Sequence, residues 1–346
     1  MAPLSISDSV FQTALRRARR GEVDDETGGV LLRGSRRASL WRELREAAST
    51  VRDRSLGREL LITAHVHMIA ECKLPTACQY CSLSSRYRSV CAERDRLTAR
   101  ELVRAVRYSE QRGVQSIVLV GGCNPAGSDA EVRRAVERVR QVSDIDLAID
   151  VGPFLSSSTI RWLKHHGVPT VYCSLETSNP AAFREAKPGD SLEERIACME
   201  RVEREGSNLG NVVMNGLGNS EDLLRSILAL RRFRRLSHLY LSTFQPVRGT
   251  PWADRRPGSI EVSLRALAIA RLALPGVHLG LAEVEVEDPG SAARLSRQLR
   301  AGAGNTLAGV LVYKRKTVDN VVRIRDEATA MGFHLPRSRP AAPSRR

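Results

Sequence analysis

Leu60-Leu61-Ile62-Thr63-Ala64-His65-Val66-His67-Met68-Ile69-Ala70-Glu71-Cys72-Lys73-Leu74-Pro75-Thr76-Ala77-Cys78-Gln79-Tyr80-Cys81 is an apolar run that empties into a loop carrying three of the chain's seven cysteines. The run reads as a strand and the loop as its C-terminal exit. The cysteines are spaced Cys-x5-Cys-x2-Cys, and three thiolates on one short loop can hold three corners of an iron–sulfur cube. No fourth cysteine lies on the loop, so one iron stays open to a substrate or cofactor. A structural zinc site is the alternative reading, and zinc wants a fourth protein ligand nearby. His65 and His67 lie on one side of the strand, several residues short of the cysteines.

Outward from this stretch, short apolar runs alternate with amphipathic segments. The runs are 60–70, 115–120, 146–151, 170–175, 211–214, 239–243, 277–282 and 306–312. Helical periodicity fills 101–112, 130–142, 157–166, 191–205, 221–234, 263–274, 291–301 and 318–331. Strands alternating with helices imply a parallel sheet with right-handed crossovers. Eight such pairs predict an α/β fold, a (β/α)8 TIM-type barrel spanning 59–334, with a doubly wound sheet as the alternative. Residues 1–58 read as a helical extension: Ser7 caps a helix to about Arg20 with Phe11, Leu15 and Ala18 on one face, Thr27-Gly28-Gly29 makes a break, and a second helix runs from Ser39 to Ser55. The Pro- and Arg-rich residues 335–346 read as a disordered basic tail.

The formal net charge is +15, nearly all of it arginine, with only five lysines. Because the arginines are spread along the chain among acids, they read as a solvated surface rather than a nucleic-acid footprint. Met1–Val10 has no basic and apolar signal pattern, and no apolar run reaches the roughly 18 residues that span a bilayer. An odd, unevenly clustered set of cysteines fits a reducing cytoplasm.

His-x-His on a first strand also opens metal-dependent hydrolase barrels, which need further histidines at later strand ends. His165 and His166 fall on a helix end, His238 and His278 at strand beginnings and His334 beside the tail, so that constellation cannot be assembled. His65 and His67 read instead as polar residues lining a barrel. Gly121-Gly122 after the second strand lets a ligand or another backbone approach closely, although a tight turn needs the same residues. Ser174 and Glu176 close the fourth strand and, by the period of two, project to one side. A carboxylate there suits a sugar diol, and equally a helix cap. Arg195 sits in a charged helix, where a solvated salt bridge with Glu193 or Glu194 is the default. Asp150, Asn215, Gln245, Arg248, Glu283 and Tyr313 are candidate substrate contacts by strand-end position.

Together these pieces resemble the radical S-adenosylmethionine superfamily and, within it, the biotin synthase-like subgroup, over roughly residues 40–334. The resemblance is carried by the cysteine loop, Ser84-Ser85-Arg86-Tyr87-Arg88, Gln245-Pro246-Val247-Arg248-Gly249-Thr250-Pro251, the helix at 266–275 and Ala301-Gly302-Ala303-Gly304-Asn305. Glu176-Thr177-Ser178-Asn179-Pro180 is similar to the iron-hydrogenase maturase and methylornithine synthase branch. The resemblance implies that Cys72, Cys78 and Cys81 bind a 4Fe–4S cluster whose open iron takes S-adenosylmethionine. It implies further that Tyr80 lies against the adenine, Gly121 and Gly122 meet the methionine amino group, Ser174 and Glu176 bind the ribose, and Arg195 pairs with the methionine carboxylate. Reductive cleavage to a 5′-deoxyadenosyl radical, hydrogen abstraction from a small biosynthetic substrate, and a flavodoxin- or ferredoxin-type electron donor follow from the same resemblance.

Two departures stand out. The superfamily's usual first gap is three residues, whereas the five-residue gap here is similar to that of the guanylylpyridinol-cofactor biosynthesis protein of methanogens. Biotin synthases hold a second, sulfur-donating cluster on three strand cysteines and an arginine. The corresponding positions here fall near Leu119, Asp150, Asn211 and His278, so a rearrangement, methylation or related C–H functionalisation is expected ahead of sulfur insertion. Cys91, Cys123 and Cys173 follow no recognisable ligand spacing. A non-enzymatic iron–sulfur or RNA-binding protein is the alternative from another class.

Overall fold

The computed structural model describes residues 6–81, 83, 84, 95–282, 297–302 and 304–336. Ser85 to Arg88, Cys91, Glu283, Ala303, most of the helix expected at 291–301 and most of the expected tail lie outside the described residues.

Each expected apolar run forms a strand: β1 (Leu61–Val66), β2 (Ser116–Val120), β3 (Asp146–Asp150), β4 (Thr170–Tyr172), β5 (Asn208–Asn215), β6 (Leu236–Thr243), β7 (His278–Ala282) and β8 (Thr306–Val312). They pair in the order β7-β6-β5-β4-β3-β2-β1-β8, all parallel, and a short β9 (Thr317–Asp319) adds antiparallel to β8. The curled parallel sheet with helical crossovers is a (β/α)8 barrel. Between β7 and β8 the ladder shrinks to one bridge, Leu279 with Gly304, at the N-terminal rim. Side chains finish that seam. Asn305 Oδ1 accepts from Leu279 N at 3.0 Å, Gln298 Oε1 accepts from Leu281 N at 3.1 Å, and the buried Arg271 guanidinium donates to the carbonyls of Gly302, Pro275 and Val277 at 2.8–3.0 Å.

Outside the barrel lie α4 (Ala99–Gln111), α5 (Asp129–Arg140), α6 (Ser157–His165), α7 (Pro180–Ala186), α8 (Leu192–Arg204), α9 (Ser220–Ala229), α10 (Ile260–Ala273) and α11 (Val321–Ala330). Local chemistry starts them: Thr98 and Glu101 form a capping box at α4, as do Asn219 and Asp222 at α9. The alternation in the strands separates two cores. Ile62, Ala64 and Val66 of β1 face the helices, whereas Val118, Ala148, Tyr172 and Tyr240 pack against one another inside the barrel.

The N-terminal extension has three helices, α1 (Asp8–Arg19), α2 (Asp25–Gly34) and α3 (Ala38–Leu56). Ser7 caps α1, and Phe11, Leu15 and Ala18 are buried, as the periodicity implies. The expected break at Thr27-Gly28-Gly29 is instead inside α2, capped by Asp24. Gly28 and Gly34 are contact points: an added Cβ would lie 2.7 Å from Leu224 and 2.4 Å from Phe11. Close helix packing, not chain breaking, is what these glycines serve. Along α3, Gly302 meets Ala48 (2.4 Å from an added Cβ) and Arg52 donates to Leu299 O at 2.7 Å, so the extension covers the seam beside β7 and β8.

Candidate active site

Beyond β1 the chain crosses the C-terminal mouth of the barrel. Ile69 N donates to Val120 O at 3.0 Å, Gly122 N to Ala70 O at 2.9 Å and Lys73 N to Cys123 O at 2.7 Å, so residues 69–73 run along the exit of β2. Gly122 makes this possible, since a Cβ there would sit 2.2 Å from Cys72 N. Gly189 does the same on the far side, 2.1 Å from Thr76 O. Gln79 bonds Ala186 at the end of α7 and Trp252 beyond β6. The cysteine loop is therefore pinned at both ends by backbone contacts that any larger residue would push apart.

Cys78 is buried, Cys72 and Cys81 half-buried, and none of the six described cysteines is in a disulfide. Burial pushes the Cys78 thiol up, against the pull of Lys187 and Arg195, and pushes Cys81 up to about 12. Thiols so disposed ionise when a metal centre takes their protons' place. Among the described residues, no three His, Cys, Asp or Glu side chains converge on one point as ligands of a single ion. A cubane asks for a wider stance, because each of its thiolates sits on a different iron. Three thiols of one anchored loop match that donor set.

Beside the loop, the fourth strand ends abruptly. β4 stops at Tyr172, the chain bulges through Cys173–Leu175, and Glu176 rejoins β5 with its N–H on Val212 O and its carbonyl on Met214 N (2.9 and 2.8 Å). Glu176 has φ 63°, a left-handed conformation that costs a non-glycine residue on the order of 1 kcal/mol or more. Buried Asn211 holds the bulge, donating to Cys173 O at 2.7 Å and accepting from Leu175 N at 3.0 Å. The expected alternation from Ser174 to Glu176 is thus interrupted; the bulge and β5 aim the carboxylate, not the period of two.

A buried chain of charges begins there. Glu176 Oε1 lies 3.3 Å from Lys187 Nζ, which lies 3.6 Å from Asp190 Oδ2, which accepts from Arg195 at 2.6 and 3.0 Å. Arg195 also donates to the Ser174 carbonyl and, at 3.5 Å, to Cys123 Sγ. Its side chain is 3% exposed and that of Asp190 0%. The solvated pairing with Glu193 or Glu194 is replaced by a buried one, because Arg195 is on the inner face of α8 and Asp190 precedes the helix. The Arg195 and Lys187 charges hold the Asp190 carboxyl below its usual range despite its burial. Lys187 and Asp190 were missed in the sequence. A lysine in a chain with five, followed by Pro-Gly-Asp, was the signal available.

Two polar atoms at this mouth are buried without partners, Tyr80 Oη and Glu176 Oε2. The Tyr80 ring packs against Trp252 (centroids 5.9 Å apart) and Phe244 (6.2 Å). Of the other strand-end candidates, half-buried Asp150 faces the lumen, and burial raises its carboxyl to about 6 against the pull of Arg195. Asn215 is withdrawn from the substrate role: its amide nitrogen donates to Ser259 O (2.8 Å) and to Ser263 (3.0 Å) at the start of α10. Gln245 and Arg248 are exposed on the loop after β6, and Tyr313 stacks on His67 at 4.4 Å. Gly121 donates to Asp150 O, and Cys173 is fully buried.

A parallel barrel whose first strand opens into a three-thiol loop, beside a carboxylate aimed by a strained bulge, defines a class of iron–sulfur barrel enzymes. The description "Radical SAM superfamily" matches residues 72–231. The chain is 28% identical over 244 residues to the uncharacterized protein MJ0785 of Methanocaldococcus jannaschii, covering 69% of this chain and 64% of that one. It is 25% identical over 269 residues to the [FeFe] hydrogenase maturase subunit HydE of Thermotoga maritima (73% and 76% covered) and 27% over 263 residues to a biotin synthase of Alkaliphilus metalliredigens (75% and 80%). In fold it is similar to methylornithine synthase PylB, with TM-score 0.75, 19% identity and 97% and 96% of the two chains covered, and to the maturase HydG of Carboxydothermus hydrogenoformans, with TM-score 0.80, 17% identity and 94% and 79% covered. Residues 72–231 thus match the radical SAM superfamily of enzymes, and the HydE and biotin synthase relatives support its biotin synthase-like subgroup. No helix among the described residues is long and apolar enough to cross a membrane.

Proposed function

We propose that this protein uses a 4Fe–4S cluster and S-adenosylmethionine to take a hydrogen atom from an unactivated C–H bond of a small biosynthetic substrate. The observation that carries the proposal is the anchored three-thiol loop together with two unpartnered buried polar atoms, Tyr80 Oη on the loop and Glu176 Oε2 near it. When bound, the cluster and S-adenosylmethionine supply a one-electron cleavage that delivers an adenosyl carbon radical.

The chain's own residues hold and orient. Cys72, Cys78 and Cys81 take three corners, and Gly122 and Gly189 keep the loop seated. Glu176 and Ser174 meet the ribose, Glu176 offering Oε2 while Lys187 holds Oε1. Tyr80, braced by Trp252 and Phe244, lies against the adenine. Gly121 and Gly122 meet the amino group. Arg195 and Lys187 form the positive end toward the methionine carboxylate, and Asp190 keeps both charged. The barrel walls exclude water, and an acidic flavodoxin- or ferredoxin-type donor reaches the cluster from outside. The lumen-facing positions Val118, Val120, Ala148, Asp150, Val212 and Met214 supply no thiol, which speaks against a second, sulfur-donating cluster on those strands.

The test is anaerobic. Iron-loaded, reduced protein is expected to convert S-adenosylmethionine to 5′-deoxyadenosine, with about four irons and four sulfides per chain, both lost in Cys78→Ala. A full iron count without any 5′-deoxyadenosine would overturn the proposal in favour of an electron carrier. Deuterium passing into 5′-deoxyadenosine from labelled candidates would identify the substrate.

A further inference from the structure

The barrel lumen holds a continuous column of rings. Tyr313 stacks on His67 (4.4 Å), His67 neighbours His65 (6.3 Å), and His65 meets Tyr240 edge-on (5.8 Å). Tyr240 stacks on Tyr172 (6.4 Å), Tyr172 lies tilted beside His238 (6.2 Å), and His238 stacks on His278 (4.9 Å). Gly210 makes room for it, since a Cβ there would lie 2.5 Å from the Tyr172 ring.

The lower and upper parts of the column differ in one respect. In the lower part, Tyr240 Oη bonds Thr306 Oγ1 at 2.7 Å, His238 Nδ1 bonds Ser237 Oγ at 2.9 Å, and His278 Nδ1 bonds the Asn305 amide at 2.5 Å. At the top, His65 Nε2 and His67 Nδ1 are buried and bonded to nothing. Two unpaired ring nitrogens on adjacent inward positions of one strand are costly unless a ligand pairs them. Among the described residues, the neighbouring inward positions Val120, Asp150, Val212 and Ala282 are half-buried rather than closed over the rings.

The charge pattern limits what that ligand is. None of the eight barrel strands carries a lysine or arginine, and Asp150 is the carboxylate among their described inward upper positions. An anionic group at the two rings would be desolvated beside Asp150 with no strand-borne cation to meet it, since Arg195 and Lys187, whose charges reach Asp150, are already paired with Asp190 and Glu176. Burial lowers His65 to about 4 and His67 to about 3, so at neutral pH each ring is uncharged, with one donor and one acceptor nitrogen.

We infer that the upper lumen is a substrate pocket in which His65 Nε2 and His67 Nδ1 recognise an uncharged group presenting a donor beside an acceptor, as a lactam or amide does. This rests on the function proposed above and names the substrate class for the same site.

The probe is 2-pyridone, an uncharged lactam, with benzoate as an anion of similar size. Each is titrated into anaerobic, cluster-loaded protein with S-adenosylmethionine present, and binding is followed by calorimetry or ligand-observed NMR. The lactam is expected to bind at least about tenfold tighter than benzoate, and His65→Phe/His67→Phe to weaken it by about tenfold or more. His67→Gln, which keeps a hydrogen-bonding end, should retain most of the affinity, separating lost recognition from lost folding. Benzoate binding equally well, lactam binding indifferent to the Phe changes, or no binding of either probe would overturn the inference. S-adenosylmethionine binding is read in the same samples. Its presence without lactam discrimination refutes only the substrate class, and its absence in fully iron-loaded protein refutes the underlying function.

Discussion

Lys187→Met keeps the length of the side chain and removes the ammonium that joins Glu176 to Asp190. At 3.3 and 3.6 Å and an effective dielectric of about 20, each pairing has about 5 kcal/mol of Coulomb attraction, most of it offset by desolvation. Removing one partner of a buried pair costs about 3–5 kcal/mol, because the other charge is left uncompensated. Here Asp190 keeps Arg195 at 2.6 Å, so the stranded anion is Glu176, whose side chain is 13% exposed and can recruit water. We therefore expect a loss near the lower end, about 3 kcal/mol, in urea unfolding of the apoprotein. S-adenosylmethionine affinity, measured anaerobically on cluster-loaded protein, should fall at least about tenfold, equivalent to about 1.4 kcal/mol. Glu176→Gln removes the stranded charge, so in the double variant the two losses should fall short of their sum by about 1.5 kcal/mol or more. Losses that add within about 0.5 kcal/mol, or unchanged S-adenosylmethionine binding in Lys187→Met, would refute the claim that Lys187 acts through Glu176.

Three further outcomes follow from the same geometry. Gly122→Ala drives a Cβ to within 2.2–2.5 Å of Cys72 N, Cα and Cβ, whereas Gly121→Ala meets its neighbours at 3.0–3.1 Å. Iron retention after gel filtration should therefore fall far more in the first variant, which loses about 1–3 kcal/mol to overpacking. Asn211→Ala leaves Cys173 O and Leu175 N without their partner, so unfolding should show a loss of about 2–4 kcal/mol, accompanied by weaker S-adenosylmethionine binding as the bulge relaxes. The Asp150 carboxyl is raised from 3.8 to about 6, so the folded state holds its proton more tightly than the unfolded chain. Its contribution is full below about pH 4 and is lost as pH rises through 6, a difference of roughly 2–3 kcal/mol. Asp150→Asn should flatten that part of the stability–pH curve and stabilise the apoprotein at pH 7; an unchanged curve would mean that Asp150 is hydrated.

The barrel was readable because its signals repeat. The eight apolar runs became β1 to β8, and β1 alternates between Ile62, Ala64 and Val66 on the helix side and Thr63 and His65 inside. Short elements escaped: α7 has seven residues, although Asn179 as cap and Pro180 at its first position mark its start. Gly28-Gly29 misled, because glycine in a sequence signals either a break or a close approach, and only the partner helix decides between them. Asn211 likewise looked like a lumen position, yet β5 begins at Asn208 with Gly210, Val212 and Met214 inward, which turns Asn211 outward to brace the bulge.

The active-site chemistry divides along the same line. Cys72, Cys78 and Cys81 are local in sequence, so their spacing alone singles out the proposed donor set. The Glu176–Lys187–Asp190–Arg195 chain is local too, spanning twenty residues, but its logic depends on burial that no spacing conveys. Charged residues at such spacings ordinarily lie on solvated faces, where each pair contributes little. The bulge after β4 changes that. It turns Glu176 into a left-handed conformation, closes the α7–α8 turn over the cysteine loop through Gly189, and removes four charges from water together. Strain at Glu176 persists because Asn211 and the charged chain fix it from both sides. The same contacts that fix the carboxylate also seat the thiols, so the cluster loop and the proposed ribose contact are built as one unit.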